Sequence, residues 1–383
     1  MRVLMLSKAL VSGPSQRKLE ELAKCPGVEL TLVTPPYWRH DNGTTLTLER
    51  LYTSGYRIIV TPMILNGNYH LHSYPKLGSI MREVRPEIVH IDEEPYNFAT
   101  FQAMRLASHY KARALFFTWQ NLARDYPPPF RQMERYNYKH AAVALAGNRE
   151  AIDVLRHKGY TKAVRVIPQF GFDTEIYKRS APRPPREPDA PFTLGFAGRL
   201  VETKGLTTMI EALTHLPTYC QAVFIGDGPM SSVLEAEATR LSVSERVHIK
   251  PSVRTYEVPA VLSAFDVHVL PSRTYPNWKE QFGRSLAEAM ACETPVIGSD
   301  SGEIPHVLGD AGLIFPEGDA QALATRVRQL LDDPQLYATL AARGRQRVLE
   351  NYTQEQIAQQ TFEVYQEMLA GEVRSEDVLQ RLQ

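Results

Sequence analysis

The chain has 383 residues, more than one core comfortably serves and suited to two domains on the prior of roughly 100–200 residues each. Its 43 basic and 43 acidic side chains cancel, which excludes a surface-wide field for nucleic acid or anionic lipid and leaves only local basic sites, with peripheral membrane contact still open. Cys25, Cys220 and Cys292 lie too far apart for a zinc site or redox pair, and no stretch approaches the ~18 apolar residues of a membrane span, so a reduced, cytoplasmic protein is expected.

Met1 to Leu10 reads as a strand rather than a signal peptide, because its apolar run stops at Ser7 and Lys8. A Ser/Gly/Pro loop (12–15), a helical segment (16–24) and a second apolar run (28–33) complete a βαβ unit. Further buried-strand candidates follow at 57–62, 87–91, 112–118, 141–146 and 164–168, separated by segments of helical period. Alternation of this kind builds a parallel sheet covered on both faces.

Between Tyr177 and Pro191 the prolines 182, 184, 185, 188 and 191 stand among charged residues with little to bury, which predicts an inter-domain linker. The alternation then restarts: strands at 192–197, 221–225, 246–250, 267–270 and 296–298, helices at 205–216, 230–241 and 257–264, and surface helices at 319–331 and 334–352. The expected domains are therefore 1–176, linker 177–191, 192–353, and a C-terminal helix in 354–383 whose docking place is open. Open parallel sheets bind ligands at the carboxyl ends of their strands, so the loops after these strands are where chemistry is sought.

Two constellations stand out there. Gly198-Arg199-Leu200 leaves a strand and reaches Lys204-Gly205 before a helix; two cations and a helix N-terminus suit a pyrophosphate, although the spacing matches neither the P-loop nor the dinucleotide fingerprint. A plain turn with solvated charges is the competing account. The second is Glu280-Gln281-Phe282-Gly283-Arg284-Ser285-Leu286-Ala287-Glu288, with Glu280 expected in the loop before a helix and Glu288 one turn inside it. Such carboxylates can each accept two hydrogen bonds from vicinal hydroxyls, or can merely be a loop Glu and a helix-face ion pair.

In their order, Gly198-Arg199-Leu200, Lys204-Gly205, Gly226-Asp227-Gly228-Pro229, Leu270-Pro271-Ser272, Glu280 to Glu288 and Thr294-Pro295-Val296 resemble the retaining glycosyltransferases of family 4, over about half the chain. The resemblance implies the GT-B fold: two Rossmann-like, doubly wound parallel-sheet domains facing across a cleft. It implies transfer of a sugar from a nucleoside diphosphate sugar, uridine- or guanosine-linked, to an acceptor hydroxyl on a glycan, lipid or small molecule, with retention and without a metal or other cofactor. Carried over residue by residue, Arg199 and Lys204 hold the donor diphosphate beside Gly198, Glu280 the transferred sugar, Glu288 the ribose, the amides of Phe282 and Gly283 the sugar or phosphate, and Ser252 to Arg254, with Val253, the nucleobase. Arg199, Lys204 and Glu280 are the catalytic set on this reading, and Asp173 is structural.

Three departures from the family pattern matter. Its N-terminal Gly-Gly loop is reduced to Val11-Ser12-Gly13-Pro14, leaving Gly13 alone to pass near donor or acceptor. A frequent histidine is replaced by Gln120, which can hydrogen-bond but cannot act as a base. Glu303 stands where a second glycine is common. A non-catalytic or epimerase-type protein of the same fold is therefore the alternative. Elsewhere, His70 and His72 read as a plain loop in preference to metal ligands, Asp92-Glu93-Glu94 as an acceptor edge or a solvated strand end, and Trp119, Tyr126 and Trp278 as sugar platforms or partial core.

Overall fold

The computed structural model describes residues 1–40, 43–179, 181, 183 and 190–375. The chain forms two compact units: Met1–Gly171 joined by the segment from Gln354 onward, and Phe172–Thr353.

In the first unit the strands are β1 (Arg2–Leu6), β2 (Glu29–Thr34), a small antiparallel pair β3 (Tyr37–Arg39) and β4 (Thr45–Thr47), then β5 (Arg57–Val60), β6 (Ile88–Ile91), β7 (Arg113–Thr118), β8 (Val143–Ala146) and β9 (Ala163–Val166). Helices α1 (Arg17–Ala23), α2 (Leu77–Val84), α3 (Phe98–His109), α4 (Phe130–His140) and α5 (Glu150–His157) connect them. Seven strands form one parallel sheet in the order β5-β2-β1-β6-β7-β8-β9, so the strand order reverses between β1 and β6. Along β1, Val3 and Met5 join one core with Leu19, Leu22 and Leu32, while Leu4 and Leu6 join another with Leu77, Met81 and Met104. Both faces being buried, the strand reads as an unbroken apolar run rather than an alternation. The strand expected to reach residue 168 stops at Val166; Ile167 still donates to Ala146 O at 2.9 Å, and Pro168, having no amide hydrogen, ends the ladder.

The second unit holds β10 (Phe192–Ala197), α6 (Thr207–Leu213), β11 (Cys220–Ile225), α7 (Ser231–Arg240), β12 (Val247–Lys250), α8 (Val258–Ala264), β13 (Val267–Leu270), α9 (Arg284–Ala291), β14 (Val296–Ser299), α10 (Ile304–Leu308), β15 (Leu313–Phe315), α11 (Ala320–Asp332) and α12 (Pro334–Asn351). Its parallel sheet runs β12-β11-β10-β13-β14-β15, with its reversal between β10 and β13. The pair β3–β4, α10 and β15 have no counterpart among the expected elements, because three to five residues carry too little periodicity to register.

The described residues of the segment expected as a linker group with the second unit, which begins at Phe172 where the boundary was expected at 176. Phe172 N donates to Tyr352 O at 2.8 Å, and Arg179 donates to Ser263 O at 3.0 Å and Thr294 Oγ1 at 3.2 Å. Pro182, Pro184, Pro185 and Pro188 lie outside the described residues.

The final helix, α13 (Gln354–Ala370), packs on α1 in the first unit. Ile357, Phe362, Tyr365 and Met368 enter the core that holds Val3 and Met5, and the Tyr365 hydroxyl lies 2.6 Å from the buried His90 Nδ1. Arg165 and Glu367 add an ion pair at 3.0 Å. Phe362→Ala should cost ~3–5 kcal/mol by leaving a cavity. Amide hydrogen exchange should show the lost protection in β1, β2 and β7 of the first unit; a loss confined to the second unit would refute this placement.

Candidate functional site

The second unit's strand reversal brings the loops after β10 and β13 together. Gly205 holds φ +61, and a Cβ there would stand 2.2 Å from Pro271 O, so only glycine lets the Lys204 turn lie against the Pro271-Ser272 segment. The helix expected to start at Gly205 accordingly begins at Thr207, after a 3₁₀ turn at Glu202–Lys204.

At this junction Lys204 Nζ donates to Glu280 Oε2 at 2.5 Å, and the buried Ser272 hydroxyl donates to the same oxygen at 2.8 Å. The Lys204 ammonium also lies 5.3 Å from the centre of the Trp278 ring. Two residues expected at different parts of a ligand thus neutralise each other, joined by Ser272 and Trp278. Arg199, by contrast, is exposed on the loop after β10, and its guanidinium has no partner among the described residues.

As expected, Glu280 lies in the loop before α9 and Glu288 inside that helix. Arg284 Nε donates to Glu288 Oε1 at 2.8 Å and the Tyr177 hydroxyl donates to the same oxygen at 3.2 Å. The helix-face ion pair weighed as an alternative therefore exists. Because both donors meet Oε1, Oε2 keeps its lone pairs among the described residues. Burial raises the Glu288 carboxyl, opposed by Arg284. The signal for Arg284 was its four-residue spacing from Glu288, and Ser272 was marked by the Leu270-Pro271-Ser272 motif, though not as a partner of Glu280; Tyr177, 111 residues from Glu288, carried none.

Gly283 caps α9 at φ +80 without a side-chain cap. Phe282 is buried and stands edge-on to Tyr352 at 5.4 Å, so its ring belongs to the core and only its backbone is left for a ligand. In the loop after β12 the Ser252 hydroxyl donates to Asp227, and Arg254 is held by Glu257 (2.9 Å, backbone amide) and Tyr256 (3.1 Å, guanidinium to hydroxyl), with Val253 partly exposed between them. Glu303 is buried, its amide bonded to Glu280 O at 3.1 Å, which ties this departure from the family pattern to the Glu280 loop.

The first unit concentrates polar groups at the same end of its sheet. Ser7 Oγ donates to Asp92 Oδ2 at 2.7 Å, Lys8 pairs with Glu93, and His72 Nε2 lies 3.5 Å from the same carboxylate. His72 is fully buried, and His70 packs on Tyr96, Tyr126 and Phe130, with ring centres 5.3–5.9 Å apart. Both histidines lie in a loop, as expected, with His70 only partly buried; the solvated reading of the Asp92-Glu93 strand end does not hold, because both carboxylates are buried together with His72. Burial raises the Glu93 carboxyl, but Lys8 and His72 outweigh it and hold it near about 2.

Gly13 and Gln120 are both engaged. The Gly13 amide, expected near a donor or acceptor, donates to Glu49 Oε2 at 2.7 Å, with Leu51 packed where a Cβ would lie. Gln120 Oε1 accepts from Lys158 at 3.3 Å, while its Nε2 is buried without a partner. Trp119 stacks on Phe170 at 5.0 Å and Tyr126 on Tyr96 at 4.3 Å, so neither ring is a free platform on both faces.

Glu94 accepts from Thr118 Oγ1 at 2.7 Å and Trp119 N at 2.8 Å, which fixes the loop carrying Gln120. Burial pushes its carboxyl up to about 7, against those two bonds. An acid raised on folding keeps its proton in the native state after the unfolded chain has lost it, so stability falls with rising pH across the window from the ordinary glutamate value to about 7, by roughly 1.4 kcal/mol per pH unit. Glu94→Gln should flatten that segment of a urea-denaturation pH series; an unchanged slope would remove Glu94 as its source.

Residues 178–347 match the family described as Glycosyl transferases group 1. The chain is 29% identical over 251 residues to alpha-D-kanosaminyltransferase of Streptomyces kanamyceticus, covering 62% of this chain and 61% of that protein. It is 31% identical over 172 residues to N-acetyl-alpha-D-glucosaminyl L-malate synthase of Bacillus anthracis, covering 44% and 43%. The chain thus spans between about two fifths and three fifths of the length of these curated relatives. In fold it is similar to Anabaena HepE, solved in complex with UDP, with TM-score 0.70, 18% identity, and 96% of this chain and 100% of that one covered. Sucrose-phosphate synthase from Thermosynechococcus elongatus aligns with TM-score 0.68, 18% identity and coverage of 97% and 99%. The match to the glycosyl transferases group 1 family is thus carried by residues 178–347, and the whole chain has the GT-B fold of two Rossmann-like units.

Proposed function

We propose that this chain is a retaining, metal-independent glycosyltransferase of family 4 that moves a sugar from a nucleoside diphosphate sugar to an acceptor hydroxyl. The observation that carries this reading is the Lys204–Glu280–Ser272 cluster at the strand reversal of the second unit, with Arg199, unpartnered among the described residues, on the same loop as Lys204. A diphosphate entering there takes Lys204 as its counter-charge, and the Glu280 carboxylate then accepts hydrogen bonds from sugar hydroxyls. Arg199 supplies a second cation with planar donors suited to phosphate. Negative charge grows on the leaving diphosphate as the glycosidic bond breaks, so these cations lower the barrier. The departing phosphate oxygen takes the acceptor's proton, and no side-chain base is demanded. Glu288 Oε2 serves the ribose, and the Ser252–Arg254 loop the nucleobase.

The similarity to a kanosaminyltransferase and to HepE, which was solved with UDP, supports a nucleotide-sugar donor for this chain also, which we take to be uridine- or guanosine-linked. The acceptor belongs to the first unit on this reading, at the carboxyl ends of β1, β6 and β7, where Gln120 can orient but not deprotonate it. A cytoplasmic location accompanies it: Cys25, Cys220 and Cys292 form no disulfide, and no helix among the described residues is long and apolar enough to cross a membrane. A thermal-shift panel of uridine, guanosine and adenosine diphosphate sugars tests the donor, since a ligand at 100 times its dissociation constant adds about 2.7 kcal/mol. Product analysis with and without acceptor tests the reaction, and conversion of donor without acceptor would instead indicate an epimerase.

Lys204→Ala should weaken free nucleoside diphosphate by ~1.5–3 kcal/mol, the value of a charge-assisted hydrogen bond, in a calorimetric titration without acceptor. Unchanged affinity would place the donor phosphates elsewhere. Glu280→Gln should bind free nucleoside diphosphate at least as well as the parent, because Lys204 no longer has a carboxylate to neutralise it, while kcat falls. Glu288→Gln should weaken nucleotide and nucleotide sugar alike by ~1–3 kcal/mol. Loss of nucleotide binding in the first variant with full binding in the second would reverse the two assignments.

A further inference from the structure

The amino ends of the first unit's strands hold a second constellation that the proposed chemistry does not use. A cleft of about 550 Å³ opens there, lined by Arg2, Arg82, Arg85, Lys111 and Arg113. Among the described residues Glu87 is the one carboxylate in its lining, and it is already engaged by Arg2 through the backbone amide at 2.9 Å and the guanidinium at 3.7 Å. The side chains of Arg82, Arg85, Lys111 and Arg113 have no hydrogen-bond or ion-pair partner among the described residues. In a chain whose charges cancel overall, four cations around one concavity that no described residue compensates are a local field of one sign.

Helix dipoles account for part of this. Arg82 and Arg85 close α2 and Lys111 follows α3, where cations favour the carbonyl end. They do not account for Arg113, which opens β7, nor for the concavity. Arg85 and Lys111 also hold φ +50 and +58, positions at helix ends where glycine is the unstrained choice. A cation occupies each.

We propose that this cleft binds a compact polyanion bearing two or more phosphate groups. Arginine forks match phosphate oxygens bidentately, the cleft is large enough for several such groups, and the Tyr110 ring forms part of its wall. A lipid surface fits less well: the apolar lining is limited to Pro86, which is buried, and Leu369, which is half-buried, so no large exposed apolar side chain lines the cleft to enter a bilayer. The site is separate from the polar cluster at Ser7 and Asp92, since the five residues of β1 span roughly 17 Å between the two ends of the sheet. It does not rest on the proposed reaction.

The test titrates inorganic tripolyphosphate by calorimetry into Arg199→Ala/Lys204→Ala protein, so that the cations of the second unit do not contribute. Binding near equimolar stoichiometry is expected, weakening with added salt. Adding Arg85→Gly/Arg113→Ala, or separately Arg82→Ala/Lys111→Ala, should weaken it by about tenfold or more. These side chains have no partners among the described residues to lose, and thermal melting checks that each variant is folded. No binding in the starting protein, or unchanged affinity in both folded variants, overturns the proposal. Sedimentation with phosphatidylglycerol vesicles is the parallel arm. Cleft-dependent vesicle binding without tripolyphosphate binding also overturns it and assigns the cleft to a lipid surface.

Discussion

Both main sheets of this chain are wholly parallel, and their central strands are buried on both faces, so charged side chains can meet there without crossing apolar core only where strands begin or end. Everything chemical in the molecule follows from that constraint. In each unit the strand order reverses once, between β1 and β6 or between β10 and β13, and the loops diverging there leave room for side chains to converge. The Lys204–Glu280 pair and the Lys8–Glu93 pair both sit at such reversals.

These pairs are better understood as exchangeable than as stabilising. A buried ion pair gives up much of its Coulomb attraction to desolvation, and its net contribution to folding is often near zero. Removing one partner is costly, because the other charge is left buried. A ligand that brings its own charge can therefore replace one partner at little net cost, provided it supplies equivalent hydrogen bonds. Lys204 with a diphosphate, and Glu280 with sugar hydroxyls, satisfy that condition on the proposed reading. Glu288 differs: its partners Arg284 and Tyr177 share one oxygen and leave the other for a ligand, so no exchange is needed.

The polarity of the sheets also separates functions. In the first unit the carboxyl ends carry acids, histidines and aromatic rings packed under a folded-back loop, whereas the amino ends carry cations around an open cleft. Carboxylates are held there by opposite means: Glu93 by its cation and imidazole, Glu94 by burial and two donors. Glu49 meets the Gly13 amide in the same way that an anion would, which shows that this backbone donor is oriented toward negative charge.

The alternation of apolar runs with helical segments determined the two parallel sheets by itself, since buried strands must be apolar on both faces and prolines must end them, as Pro168 does. The residues after β10 and before α9 were likewise legible, because glycine, cations and carboxylates at strand exits are local features: Gly198, Arg199, Lys204, Glu280 and Glu288 needed no tertiary information to be noticed. What they touch did need it. That Lys204 meets Glu280, that Ser272 joins them, and that Tyr177 reaches Glu288 depend on contacts between residues 8 to 111 positions apart. Burial of His72, Asp92 and Glu93 depended on where a loop without periodicity lay down. The last helix was plain in its pattern yet undetermined in its place, because an apolar face states only that it must be covered; the core around Val3 and Met5 decided by what.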